Sequence, residues 1–383
     1  MALELTTLDP STLPPSVQRL VGPGAPAPMQ QMAARGMAPL PPRELALALY
    51  QLAQPWASEE TAGAIGLDAR KTAADLPEGL LQSALGGDLD VRVIDFFAHR
   101  IAHRGKVLQV VLLNKATADE TFASLARFVG ESEATMIARN EERLLRHPAI
   151  IAGLYLNKRT PMSTATRAIE LAIRHGLTVD GVPHFGELKA VIEGGQAKAA
   201  SQIEDATFQQ VADEQGLIDD LLGNPDAVVL DDEAQAAKEH AATLPGDTEK
   251  KVQNIGALSV PAKIRLATLG NEFARSVLVR DPSRMVAVAA VSSPQVTDNE
   301  VVKYSGNRGL SEDVIRYIAK QRHFTRLHAV KMNLVGNPKT PVSTAIGYLG
   351  SMSVKELRNI SRSKSISSAV VKAAQAILLT KQK

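Results

Sequence analysis

The stretch Asn337-Pro-Lys-Thr-Pro-Val-Ser-Thr-Ala345 repeats an earlier one, Asn157-Lys-Arg-Thr-Pro-Met-Ser-Thr-Ala165. Asn, Thr, Pro, Ser, Thr and Ala recur in register, and Lys339 faces Arg159. A second correspondence, with one gap, links Asn114-Lys-Ala-Thr-Ala-Asp-Glu120 to Ser293-Pro-Gln-Val-Thr-Asp-Asn-Glu300. Internal repetition decides architecture before any single motif does. The chain reads as copies of one small unit.

Helix-start signals give the size of that unit. Candidate N-caps fall at Asp281, Thr297, Ser311, Thr325, Thr340, Ser353 and Ser367, close to every fourteenth residue. A Ser, Thr or Asp oxygen accepts an orphan amide of the first helical turn. Thr297-Asp-Asn-Glu300 and Ser353-Val-Lys-Glu356 have the form of capping boxes. Asp281-Pro282 and Thr340-Pro341 place proline where its missing donor costs nothing. An earlier ladder runs through Thr117 (with Glu120), Ser132, about His147, and Thr160-Pro161.

A helix of about ten residues is marginal alone in water. It has to bury an apolar face against its sequence neighbours. Val314, Ile315, Tyr317 and Ile318 supply such a face in one unit, and Ile346, Leu349 and Leu357 in later ones. The expectation is an all-α protein, an α-solenoid of short stacked helices about 14 residues apart, in two repeat blocks.

The Asn-Pro-Lys-Thr-Pro run at 337–341, with weaker echoes at 114–120, 157–161 and 293–300, resembles the leucine-rich-repeat-variant class of bacterial helical repeats. That class is close in architecture to HEAT-like solenoids. The C-terminal 125 or so residues also resemble an uncharacterised family of bacterial helical-repeat proteins. The resemblance implies a curved superhelix with broad binding faces. It carries over no catalytic residue. Only one copy here has the full Asn-Pro-x-Thr-Pro.

Composition divides the chain further. Nine of the 21 prolines lie in residues 1–45, so 1–42 is expected as a proline-rich, extended or disordered arm. From Pro42 the pattern turns helical, and 43–182 forms the first repeat block. Residues 183–256 read as an acidic linker with partial helices, and 257–383 as a basic second block. No uninterrupted apolar run is long enough for a membrane span. The first residues lack the pattern of a secretory signal. With no cysteine in the chain, the expected location is cytoplasmic.

Charge is polarised along the chain. Residues 186–250 carry 4 basic and 15 acidic side chains, net −11. Residues 261–383 carry 20 basic and 7 acidic, net +13. Arg316 and Lys320 share a helix face. Arg322, Arg326, Lys331, Lys339, Lys355, Arg358, Arg362 and Lys364 follow in later units. Aligned repeats would set these in a stripe for nucleic acid phosphates or an acidic protein surface. The acidic segment 186–250 is an alternative, intramolecular occupant. Interleaved aromatics are sparse, which disfavours stacking on single strands.

Catalytic patterns are missing. His99 and His103 sit four apart, but no third ligand accompanies them, and half-buried structural histidines are the better reading. Glu141 and Glu142 point about 100° apart on a helix and do not converge. Gly306, Gly309, Gly347 and Gly350 lack the setting of a nucleotide fingerprint. The expected function is a non-catalytic adaptor that presents a repeat surface to another macromolecule, with no cofactor or metal. The alternatives are a nucleic-acid-binding protein using the basic stripe and a HEAT-like enzyme of the DNA glycosylase type. The last would need an acidic residue in an aromatic-lined cleft.

Overall fold

The computed structural model describes residues 3–22, 24–194, 205–208, 252–363 and 366–381. Among these residues there are 24 helical elements and no strand. No described helix is long and apolar enough to cross a membrane. Two compact units divide the chain, Met1–Val182 and Pro183–Lys383.

In the first unit, alternate helices pack on one another. Pro15–Val21, Pro42–Ala53, Glu78–Leu85, Gly105–Leu113 and Glu131–Ala138 make one succession. Ala27–Ala34, Glu59–Asp75, Val91–Arg100, Asp119–Leu125 and Ala149–Leu156 make the other. Met162–Arg174 packs against the ends of both. The core between them holds Leu49, Tyr50, Ile94, Phe96 and Phe97, all fully buried. Tyr50 meets Phe96 edge-on at 5.5 Å, and Phe96 meets Phe97 at 5.2 Å. Such edge contacts favour aromatic pairs beyond their buried area.

The proline-rich arm is not extended. It contains a 3₁₀ turn at Pro10–Thr12 and helices at Pro15–Val21 and Ala27–Ala34. Each proline near a start occupies a cap or the first turn, where no amide donor is needed. Leu8, Leu13, Val17, Leu20, Ala33 and Ala34 are buried. Tyr50 Oη donates to the Thr6 carbonyl at 2.7 Å, and the Leu8 amide donates to Gln51 at 3.1 Å. Apolar burial and these hydrogen bonds outweigh the composition signal for disorder.

The second unit repeats the alternation. Val260–Leu269, Arg284–Val291 and Glu312–Lys320 pack in succession, as do Val342–Leu349 and Ser368–Lys381. Tyr348 Oη joins the two sets by donating to the Ala319 carbonyl at 2.7 Å. The other layer holds Glu272–Leu278, Asp298–Gly306, His328–Gly336 and Val354–Arg362. The end of the unit buries Leu349, Met352, Leu357, Ile360, Val370 and Ala374 in one cluster. Part of the expected linker is folded here. The Phe185–Glu193 helix packs on Val260–Leu269, and His184 Nε2 meets Ser292 Oγ at 2.7 Å. Phe208 is buried under the Arg265 guanidinium at 4.5 Å.

The repeated motif has a physical job at each copy. Asn337 Oδ1 accepts the Lys339 amide at 3.1 Å, closing a turn on itself. Its Nδ2 donates to the Ser305 and Asn307 carbonyls at 3.0 and 3.3 Å. Those carbonyls lie at the end of the Asp298–Gly306 helix. Asn157 does the same with Arg159 and with the Ala126 and Val129 carbonyls, at 2.9, 3.0 and 2.9 Å. Asn114 does it with Ala116 and with Leu85 and Gly87. Ser293, in the gapped copy, accepts the Gln295 amide and donates to the Thr268 carbonyl. Each motif therefore satisfies carbonyls that a helix end leaves orphaned.

The expected N-caps divide into two groups. Thr297 and Ser353 form both capping boxes, and Ser311 caps its helix through the Val314 amide. Asp281 instead accepts the Ser283 amide and pairs with Lys263 at 2.9 Å, and the helix starts at Arg284. Thr325 lies inside the 3₁₀ turn Phe324–Arg326, and the next helix begins at His328. Thr340 is buried one residue before the cap Pro341. In the first unit the caps are Ala118, Gly130, Pro148 and Pro161, each adjacent to an expected position or two residues from it.

Candidate functional site

The basic residues do not share one face. Arg316 and Lys320 are exposed on the Glu312–Lys320 helix, where Arg316 pairs with Glu312. A surface pair one turn apart is weakly held. The next helix of that layer offers the exposed Val342 and Ile346 and no cation. Arg322 and Arg326 are exposed on the connection between layers, either side of the buried Phe324. Lys331, Arg358 and Arg362 belong to the other layer, on His328–Gly336 and Val354–Arg362. Lys339 is half-buried, and its Nζ donates to the Leu310 carbonyl. It ties the turn after Asn337 to the segment just before the Glu312–Lys320 helix. Lys364 lies outside the described residues, as does most of the acidic segment 186–250.

A stronger signal was present in the sequence. Residues 314–383 contain 13 Lys and Arg and a single carboxylate, Glu356. Glu356 is already engaged in local hydrogen bonds. It accepts the Ser353 amide and hydroxyl at 2.8 and 2.9 Å and the His328 imidazole at 2.8 Å. Donation by His328, then by Ser353, pushes its carboxyl down to about 2. Glu356 is the one acidic side chain after Asp313, so the exposed cations Arg322, Arg326 and Lys372 have no carboxylate in their own segments. Lys372 joins the candidate cations on this count. A tally of charges over a long window hides this local depletion of acids.

The His99 pair takes another role. His99 Nδ1 lies 2.9 Å from the Asp95 carbonyl and 3.4 Å from Asp95 Oδ2. Its Nε2 lies 2.6 Å from Ser124 Oγ. On paper this is a Ser–His–Asp relay. Ser124 Oγ also donates to the Thr121 carbonyl at 3.1 Å, within its own helix. The hydrogen bond that His99 makes to Asp95 raises the His99 pKa. Asp95 is itself buried and accepts Thr121 Oγ1 at 2.6 Å. The cluster clamps Val91–Arg100 to Asp119–Leu125.

Two cavities in the first unit bear on catalysis. One of about 200 Å³ is lined by Thr135, Arg139, Glu141 and Arg167 and has no aromatic. Its Glu141 is paired with Arg167 at 2.7 Å. One of about 420 Å³ is lined by Thr7, Gln30, Gln51, Gln54 and Trp56 and has no carboxylate. Neither combines an acidic residue with an aromatic wall. No protein-family model, curated protein or solved structure matches the chain.

Proposed function

We propose that the protein is a non-catalytic helical-repeat scaffold, an α-solenoid in each unit, whose second unit binds an anionic macromolecule. Two observations support the repeat reading. Alternate helices pack on one another through much of each unit, and the motif Asn114, Asn157 and Asn337 side chains tie onto carbonyls one repeat upstream. Neighbour-on-neighbour packing of this kind leaves extended faces for binding. The resemblance to HEAT-like and leucine-rich-repeat-variant solenoids agrees with it.

The observation that carries the binding reading is the lone Glu356 among 13 Lys and Arg in residues 314–383, itself engaged by Ser353 and His328. A surface kept merely soluble mixes both signs. One stripped of carboxylates has a potential that attracts polyanions. The test is binding of the purified full chain to polyglutamate across a salt series. Binding that weakens steeply with salt is the expected result. Absence of binding at low salt, or binding indifferent to salt, refutes the reading.

A further inference from the structure

We infer that one layer of the second unit, built on the Val354–Arg362 helix, grips the phosphate backbone of double-stranded nucleic acid. The inference rests on the anionic-partner reading above and narrows it to one face and one partner.

Lys355, Arg358 and Arg362 stand three and four residues apart, so they share a face of the helix. All three are exposed, while Leu357 and Ile360 on the opposite face are buried. Glu356 falls between them in sequence but points to its own cap and to His328. That contact also docks the neighbouring His328–Gly336 helix, which brings Lys331 to the same layer. Asn359, exposed beside Arg358, adds an amide donor. The face thus offers flexible cations and a neutral donor, the groups that contact phosphate oxygens.

The rest of the face argues for this partner over others. A protein interface is anchored by large apolar or aromatic side chains in its buried centre. Val354 is the only large hydrophobic of this helix that is exposed. Single strands are held by stacking on aromatics, and no Phe, Tyr or Trp lies in 349–383. A duplex backbone needs neither. It presents a regular row of charges and asks for unpaired cations alone.

The experiment measures binding of the full chain to a 20-base-pair duplex of random sequence across a salt series. Each phosphate neutralised contributes about 0.9 to the slope of log affinity against log salt. The Lys355→Gln, Arg358→Gln, Arg362→Gln variant should lower that slope by about 2 to 3. Arg316→Gln, Lys320→Gln, on the other layer, should leave it unchanged. The inference is overturned if the triple variant keeps the wild-type slope, or if the Arg316 and Lys320 variant loses as much. Binding to polyglutamate with none to the duplex overturns it too, and leaves the anionic-partner reading standing. Loss of both ligands at low salt removes both. Circular dichroism of the variants, expected to match wild type because the residues are exposed, separates lost contacts from lost fold.

Discussion

Asn337 donates from Nδ2 to the Ser305 carbonyl at 3.0 Å, across 32 residues of sequence. The same side chain folds back to accept the Lys339 amide. One buried residue, 4% exposed, therefore closes its own turn and the end of the Asp298–Gly306 helix. This is the physical reason the motif recurs. A stack of short helices leaves many orphan carbonyls inside, and an unpaired buried acceptor is costly.

Replacing Asn337 with Ala should destabilise the second unit by about 1–3 kcal/mol, the range for leaving buried polar groups unmet. Asn337→Asp should cost at least as much, because it sets an acceptor against two carbonyls. Asn157→Ala should act in the same way on the first unit. Denaturant unfolding of the full chain is the measurement, read for two transitions because two units need not melt together.

Arg275 and Glu300 are 4% and 1% exposed and meet through two hydrogen bonds of 2.9 and 3.0 Å. Removing one partner of a buried pair leaves the other charge uncompensated, at a cost of about 3–5 kcal/mol. Glu300→Gln should show this loss. The Arg275→Met, Glu300→Leu double variant should recover most of it. Burial works to raise the Glu300 carboxyl, but Arg275 and Thr297 outweigh it, and its pKa is lowered. A lowered value stabilises the fold above the ordinary glutamate pKa, and the gain is lost as pH falls through the folded value. Wild-type unit two should therefore lose stability below about pH 4.5, and the Arg275→Met, Glu300→Leu variant should lose less.

The pH dependence at His99 has the opposite sign. Its pKa is raised, first by the hydrogen bond to Asp95. A raised value contributes stability that is complete below the ordinary histidine pKa and is lost as pH rises through the folded one. Melting temperatures of the wild type should fall over the upper part of about pH 5 to 8, and His99→Gln should flatten that trend. An NMR titration of the His99 ring reports the shift directly.

Gly153 sits inside the Ala149–Leu156 helix, where glycine is a poor helix former. A Cβ there would lie 2.9 Å from both the Ala123 carbonyl oxygen and Ala126 Cβ. The glycine lets two layer neighbours approach closely. Gly153→Ala should destabilise the first unit by about 1–3 kcal/mol despite its gain in helix propensity. Thermal melts of the two proteins decide the sign.

Local signals in the sequence were legible where the answer is local. Thr297 and Ser353 act within four residues of themselves, and both capping boxes form. Thr325 failed because the buried Phe324 draws its segment into a 3₁₀ turn. Thr340 failed because Pro341 takes the cap and the threonine turns inward. The helices of the proline-rich arm follow from proline at helix starts, a rule applied to Pro282 and Pro341 that fits Pro15 and Pro42 equally. The ties of Asn337 were hidden because its partners, Ser305 and Asn307, lie far from it in sequence. The dispersal of Arg316, Lys339 and Arg358 was hidden for a related reason: layer membership alternates from helix to helix, and spacing alone does not assign it.

The central claim is that residues one repeat apart are spatial neighbours. The chain has no cysteine, so introduced pairs report without background. His328 meets Glu356 at 2.8 Å and Lys303 meets Glu272 at 3.0 Å. Cysteine pairs at 328 with 356 and at 272 with 303 should link rapidly and intramolecularly with a short bis-maleimide, while a 328 with 362 pair links slowly. Equal rates for all three pairs, or no linkage at the first two, would contradict the repeat stack.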